Sequence, residues 1–168
     1  MEVAIAVCNE LHYDSNGKHY FGIGFPNSAG GYEIRNPFFK GCIAPKDISV
    51  FYANEPKKIC FLFEGFMDFL SFITLSQQAY IVLNSVSNIH KVIEKLSHYD
   101  SIQCYLDNDD AGRNAYKQLS KELSRSVLDS SSLYSDFKDL NDYLCAESKH
   151  SEKAEIKKTK GIKLWLQE

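Results

Sequence analysis

ICFLFEG, residues 59–65, is a continuous apolar run that ends in an acidic residue and a glycine. The run has the length of one strand, and its lack of polar alternation predicts a strand buried on both faces of a parallel sheet. Gly65 allows the backbone to turn sharply after Glu64. Because ligands of open parallel sheets bind at the carboxyl ends of the strands, Glu64 is a candidate site residue.

The sequence after this run alternates between strand and helix patterns. Helical spacing of apolar residues is seen, for example, at Phe66, Phe69, Leu70 and Ile73. This order predicts an α/β fold, in which a parallel sheet is covered by helices on both faces. Beyond the first run, strands are predicted at 80–83, 102–106 and 126–128, and helices at 65–77, 89–96, 110–123 and from 140 to 146.

A second group of acidic residues, at 107–110, follows the third predicted strand. Asp107 lies 43 residues after Glu64 (107 − 64), which suits a strand–helix–strand–helix path back to the same sheet edge. Mg²⁺ prefers carboxylate oxygens and leaves positions free for water and phosphate. Glu64, Asp107 and Asp109 therefore predict a site for Mg²⁺ or Mn²⁺. Asp68 would lie one helical turn after Glu64, where it could orient a metal-bound water.

Each of these acidic residues also has a simpler interpretation. A glutamate at a strand end, such as Glu64, is usually a solvated loop residue. The aspartates of 107–110 could cap the helix that follows them, because aspartate favours the first turn of a helix. Asp68 could be a surface residue of its helix. The combination of Glu-Gly and Asp-x-Asp at one predicted sheet edge favours the site.

The regions outside this core differ in character. Residues 1–57 contain short apolar runs and turn signals without a long helical period, which predicts a small, mostly antiparallel β subdomain. The α/β domain then spans 58–146. Residues 147–168 form a charged C-terminal tail rich in Lys, Glu and Ser.

Composition limits the classes of function. The net charge of −3 does not support non-specific nucleic-acid binding by overall charge, so any such surface must be a local patch or must use bound metal. The five cysteines form no CxxC pair, which argues against a structural zinc site and fits a reducing cytoplasm. No apolar run approaches the ~20 residues that span a bilayer.

The acidic motifs resemble those of the Toprim family, whose signature is a Glu at the end of the first core strand and an Asp-x-Asp at the end of a later one. Within that family the chain is most similar to bacterial and plasmid DNA primases. The similarity covers roughly residues 58–145. It lies in FEGFMDFLS (63–71), YLDNDDAGRNA (105–115) and KDLNDY (138–143).

This resemblance implies a Toprim-like, Rossmann-type parallel sheet and a primase-like nucleotidyltransferase that makes RNA primers on single-stranded DNA. The segment GGYEIRNPFFKG (30–41) resembles the basic subdomain that precedes Toprim in such primases. By that resemblance Arg35, Lys40 and Lys46 would face template or nucleotide phosphates, with a solvated hairpin as the alternative. Arg113 would reach phosphate or form a surface salt bridge.

The partners implied by the resemblance are a single-stranded DNA template, nucleotides and a replicative helicase, in the cytoplasm and without a membrane. Primases of this kind carry an N-terminal zinc-binding module that has no counterpart here, so we expect a fragment of a longer protein or a chain without autonomous priming. Two other functions stay open, a Toprim nuclease and a non-catalytic nucleic-acid-binding module of a mobile-element replication or mobilisation protein. A phosphohydrolase is disfavoured because Asp107 does not begin its usual D-x-D-x-[TV] motif.

Overall fold

The computed structural model describes residues 6–51, 58–73, 79–124 and 126–150. Its N-terminal part is an antiparallel sheet of four strands in the order β1-β2-β3-β4. The turn between β1 and β2 passes through Asn16 (φ 52) and Gly17 (φ 71), and a two-residue hairpin loop needs such positive values. The strands are β1 (Asn9–Ser15), β2 (Lys18–Pro26), β3 (Tyr32–Asn36) and β4 (Phe39–Ile43).

The second sheet has five strands in the order β5-β7-β6-β8-β9. Strands β6 to β9 are parallel, and β5 pairs antiparallel with β7 at one edge. The predicted fold, a Rossmann-type parallel sheet preceded by an antiparallel β unit, is confirmed. The strands are β5 (Ser49–Phe51), β6 (Ile59–Phe63), β7 (Ala79–Val82), β8 (Ser101–Tyr105) and β9 (Ser126–Asp129).

Helices cover both faces of this sheet. Because side chains alternate along a strand, Cys60 and Leu62 of the central β6 enter one core and Phe63 enters the other. The first core contains apolar residues of α2 and α3, and the second is aromatic and contains those of α1. The helices are α1 (Phe66–Phe72), α2 (Ile89–Leu96), α3 (Asp110–Glu122) and α4 (residues 140–150), with 3₁₀ turns at Val86–Asn88 and Ser131–Tyr134.

The aromatic core joins the two sheets. Phe25 of β2 is fully buried, and its ring centroid lies 5.2 Å from that of Phe66 and 5.6 Å from that of Phe69. The hydroxyl of Ser49 donates a hydrogen bond of 2.7 Å to the carbonyl oxygen of Pro26. These contacts hold one face of the first sheet close to the carboxyl edge of the second.

Strand β5 belongs to the second sheet, although the sequence predicts its residues within the N-terminal β subdomain. The domain limits 1–57, 58–146 and 147–168 stay predictions, and both 52–57 and most of the tail, 151–168, lie outside the described residues. The predicted end of the first helix, at 74–77, also lies outside them. None of the helices in the described ranges is long and apolar enough to cross a membrane.

Candidate active site

Two strand-end carboxylates meet at the carboxyl edge of the parallel sheet. Glu64 follows β6 and Asp107 follows β8, and these strands are direct neighbours. A carboxylate oxygen of Glu64 accepts a hydrogen bond of 3.1 Å from the backbone N–H of Asp107. The backbone N–H of Glu64 in turn donates to the carbonyl oxygen of Tyr105, at 3.2 Å. The structure therefore places Glu64 and Asp107 together, where the sequence predicts them.

Asp109 begins α3 as its N-cap. Its Oδ1 accepts a hydrogen bond of 3.0 Å from the backbone N–H of Gly112. Asp110 points away from the edge, since its side chain is 94% exposed and pairs with Arg113 at 2.8 Å. The capping interpretation thus applies to Asp109, and its charge is near enough to Glu64 to contribute to the raised pKa of that carboxyl.

Lys138 is a site residue to which the sequence analysis gives no role. Its Nζ lies 3.0 Å from Oδ2 of Asp107 and 4.0 Å from Oδ2 of Asp139. Asn108 positions it, because the backbone N–H of Asn108 donates to the carbonyl oxygen of Lys138 at 2.7 Å. The Asn108 side-chain amide also donates to the carbonyl oxygens of Tyr134 and Phe137, at 2.9 and 3.0 Å. The KDLNDY motif is the sequence signal that could have identified Lys138.

Asp68 connects the site to the last described helix. Its side chain is buried, and Oδ1 accepts a hydrogen bond of 2.9 Å from the backbone N–H of Asn141 in the first turn of α4. The hydroxyl of Ser71 donates to the side-chain oxygen of the same Asn141 at 2.8 Å. Asp68 therefore holds α4 in place in addition to facing the carboxylate cavity.

Burial and mutual repulsion favour protonation of these acids. Burial, then the charge of Asp107, raises the pKa of Glu64 from its ordinary 4.5 to about 7. Burial likewise raises the pKa of Asp68 to about 7. Burial also raises the pKa of Asp107, although its hydrogen bond to Lys138 opposes the shift. A cation that neutralised this edge would remove an unfavourable charge arrangement.

These carboxylates line a cavity of about 380 Å³ between the two sheets. Arg35 and Lys40, two of the predicted phosphate-binding residues, lie on the wall formed by the first sheet, together with Glu33 of the same strand as Arg35. The side nearer the parallel sheet carries Glu64, Asp68, Asp107, Lys138 and Asp139. The cavity thus has one basic and one acidic side.

Two other predicted phosphate-binding residues do not line the cavity. Lys46 is close enough for its charge to lower the pKa of Glu33, against the larger raising effect of burial. The guanidinium of Arg113 donates to the carbonyl oxygen of Asn108 and to Asp110, both at 2.8 Å. These contacts match the surface salt bridge that the sequence analysis gave as the alternative for Arg113.

The donor set fits a hard divalent cation by its chemistry. Carboxylate oxygens are the ligands that Mg²⁺ and Mn²⁺ prefer. Within 6–51, 58–73, 79–124 and 126–150, however, no three His, Cys, Asp or Glu side chains converge closely enough to hold a metal ion together. Lys138 neutralises Asp107, and Asp109 is engaged as a cap. A cation at Asp107 would therefore have to displace the ammonium group of Lys138.

Glu64→Gln is expected to stabilise the metal-free protein at high pH. The pKa of the Glu64 carboxyl is higher in the folded than in the unfolded state. Its contribution to stability is therefore fully present below pH 4.5 and is lost as the pH rises through about 7. The uncharged amide avoids this loss, so the Tm should rise by about 2–4 °C above pH 7, the shift produced by about 1 kcal/mol in a chain of this size. Thermal unfolding in chelator across this pH window is the measurement.

The exposed Glu94 of α2 provides the control for that substitution. Glu94→Gln removes the same charge away from the cavity and should leave the Tm unchanged at every pH. A Glu64→Gln protein whose Tm followed the wild-type pH profile would contradict the raised pKa of Glu64.

Two family models match separate parts of the chain. The model of a family described as Toprim-like matches residues 61–144, half of the chain. The model of a domain of unknown function (DUF8464) matches residues 1–44. No curated protein matches the chain.

Among solved structures, the primase fragment of the bacteriophage T7 primase-helicase is similar with a TM-score of 0.60 and 18% identity, over 90% of this chain and 65% of that one. Primase domains interacting with T7 lagging-strand DNA polymerase are similar with a TM-score of 0.59 and 16% identity, over 85% of this chain and 78% of that one. The Aquifex aeolicus primase is similar with a TM-score of 0.50 and 18% identity, over 72% of this chain and 37% of that one. The chain thus spans less than two thirds of the T7 fragment, and identities this low establish the fold alone.

Proposed function

Since the chain belongs to the Toprim-like family, we propose that it is a primase-like nucleotidyltransferase that joins ribonucleotides into RNA primers on single-stranded DNA. The observation that carries this proposal is the meeting of Glu64 and Asp107 in a cavity whose opposite wall holds Arg35 and Lys40. Acidic groups suit a divalent cation and basic groups suit phosphate. The cavity therefore matches both charges of a metal–nucleotide complex.

Glu64, Asp107 and Asp109 are the residues that would hold Mg²⁺ or Mn²⁺, with Asp68 beside them. Bound there, the cation would align the reacting groups and offset the charge of the leaving pyrophosphate. Asp68 fixes α4, and Asn108 fixes the segment that carries Lys138. Both contacts keep the acidic wall in position while substrate binds.

Other side chains around the cavity would bind phosphate and remove a proton. Arg35, Lys40 and Lys138 would bind phosphate oxygens of the nucleotide or template. Glu64 would either complete the metal site or act as the general base that removes the proton from the attacking 3′-hydroxyl, through a water. Lys46 and Arg113 stay predictions for contacts with nucleic acid outside the cavity.

The proposal extends to partners. The similar T7 protein is by its description a primase-helicase, and another similar structure has primase domains interacting with a DNA polymerase. We propose single-stranded DNA and nucleotides as the substrates and a replicative helicase as a partner of the whole protein, in the cytoplasm. The region that matches Toprim supplies the carboxylates, and the N-terminal sheet supplies the basic wall.

The decisive experiment incubates the protein with labelled ribonucleotides, unlabelled single-stranded DNA and Mg²⁺, and in parallel with end-labelled single strands alone. Labelled oligoribonucleotides that require Mg²⁺ and template are the expected products. Shortened strands would instead indicate the Toprim nuclease. Mg²⁺ and DNA binding without turnover would indicate the non-catalytic module and would overturn the proposal.

Lys138→Met is expected to strengthen metal binding while weakening catalysis. Lys138 competes with a cation for Asp107, and an ion pair made by an exposed lysine is worth up to about 1 kcal/mol, so the affinity for Mg²⁺ should rise by about 2- to 5-fold. Titration calorimetry measures this affinity, and the primer assay measures the loss of a phosphate-binding charge.

Lys121→Met, in the exposed last turn of α3, is the matched control. It removes the same charge and should alter neither quantity. Weaker Mg²⁺ binding by Lys138→Met would show that Lys138 supports the metal site rather than competing with it.

A further inference from the structure

One face of the first sheet carries exposed apolar side chains next to basic ones. In the strand register Ile23 lies opposite Arg35, and Arg35 lies opposite Lys40, so these three residues share a face. Phe21 precedes Ile23 by two positions and points to the same side. Phe21 is 63% exposed and Ile23 is 53% exposed. Neighbouring large apolar side chains in water indicate an interaction surface.

This face leads directly into the candidate active site. The next position along β2 on the same side is Phe25, which is buried against α1, while Arg35 and Lys40 line the cavity that contains Glu64. Residues two apart on a strand are about 6.8 Å apart, so Phe21 and Ile23 are close neighbours on the same side of β2. Phe21, Ile23 and the cavity therefore lie along one path that a few nucleotides can span.

Two basic side chains of this face, Arg35 and Lys40, can bind the phosphates of a polyanion. Neither Arg35 nor Lys40 makes an ion pair with another residue in the part of the chain that the structure describes. Glu33, two positions before Arg35 on β3, shares the face, and the charges of Lys46 and Lys40 act on it. The acidic groups on the outer strand β1 are paired, since Glu10 bonds to His12 at 2.7 Å and Asp14 bonds to His19 at 2.9 Å. Beside these pairs, the apolar and basic residues of β2, β3 and β4 form a strip: Phe21, Ile23, Arg35 and Lys40.

We propose that this strip holds single-stranded nucleic acid at the entrance of the cavity, with a base stacked on the ring of Phe21 and phosphates at Arg35 and Lys40. Single strands expose the faces of their bases, which stack on aromatic side chains, whereas a duplex covers them. The inference rests on the proposed function, because the strand held here would be its template. It adds a stacking residue, Phe21, that contacts the strand outside the carboxylate site.

Binding of fluorescein-labelled oligothymidylate, measured by anisotropy in chelator, tests the strip without metal or catalysis. Phe21→Ala is expected to weaken binding by about 5- to 150-fold, the usual cost of losing one stacked base. Phe21→Trp should restore the affinity. Phe39→Ala should leave it unchanged, since Phe39 is also an exposed phenylalanine of this sheet, at 50%, but pairs with Asn36 on the opposite face. Oligouridylate in the same assay distinguishes a DNA strand from an RNA strand as the occupant.

Fluorescence reports stacking directly. The chain has one tryptophan, Trp165, so Phe21→Trp combined with Trp165→Phe leaves position 21 as the only indole. Single-stranded DNA should quench its emission with the midpoint found by anisotropy. Unchanged emission on binding would overturn the stacking role, and equal affinities of wild type and Phe21→Ala would overturn the strip.

Two further outcomes separate this inference from the proposed function. If strand binding depends on Phe21 but no variant makes primers, the inference stands and the proposed function fails. If primers are made and the affinity for single strands is the same in wild type and Phe21→Ala, the inference alone fails. A Phe21→Ala change that altered the oligomeric state without altering strand affinity would assign the face to contacts between protein chains, and would also overturn the inference.

Discussion

Asp107→Asn is expected to lower metal-dependent nucleotidyl transfer on the order of 100- to 10,000-fold, since removal of one ligand of a catalytic cation forfeits several kcal/mol of transition-state stabilisation. Asp107 contacts two other residues of the candidate site, Glu64 and Lys138. Its backbone N–H donates to Glu64, and its carboxylate pairs with Lys138. Asparagine keeps the shape and the backbone donor but removes the negative charge that a cation needs.

The fold should survive this substitution. The lost ion pair involves a lysine that is 63% exposed, and such pairs contribute at most about 1 kcal/mol to stability. A near-native Tm combined with lost primer synthesis would therefore separate function from folding. The control is Asp110→Asn, the same change three residues later at a side chain that is 94% exposed and pairs only with Arg113. Comparable activity of Asp107→Asn and Asp110→Asn would remove Asp107 from the proposed mechanism.

The parallel sheet could be predicted because its central strand must be buried on both faces. The run that forms β6 has no polar residue, and the structure places it between β7 and β8. Strand β5 could not be assigned in the same way. It has three residues, too few for a period, and its place in the second sheet comes from pairing with β7, 28 residues later in the chain (79 − 51).

Part of the candidate site could likewise be predicted from the sequence, and part could not. Glu64 and Asp107 were predictable because each directly follows a strand, and adjacent parallel strands bring their carboxyl ends together. The KDLNDY motif marks Lys138, but its contact with Asp107 was not predictable, because it depends on hydrogen bonds from Asn108 to a segment without regular periodicity. The metal-binding roles of these residues stay predictions, and Asp109 illustrates why. The same carboxylate that suits a cation also caps α3, and local sequence predicts both.

Gly112 constrains the backbone of this loop. It lies in the first turn of α3, where a Cβ atom would collide with the carbonyl oxygen of Asp107 and come within 3.0 Å of the Asp107 nitrogen. Backbone atoms cannot rotate away from such a contact as a flexible side chain can. The Gly112 N–H also holds the cap of Asp109. A side chain at 112 must therefore move the segment that positions both aspartates.

Gly112→Ala is accordingly expected to reduce the free energy of unfolding by about 1–3 kcal/mol, despite the better helix propensity of alanine. In a chain of this size that corresponds to a fall in Tm of about 2–12 °C. Activity should fall further, since a misplacement of about 1 Å in a site can cost about 100-fold. The measurements are thermal unfolding and primer synthesis.

Asn114→Ala, at an exposed position two residues later in the same helix, is the control and should be at least as stable as wild type. The comparison isolates steric contact from helix propensity, because both variants end in alanine. If Gly112→Ala matched Asn114→Ala in stability and activity, the loop at 107–112 would have room to relax. The proposed dependence of the site on this close backbone approach would then be wrong.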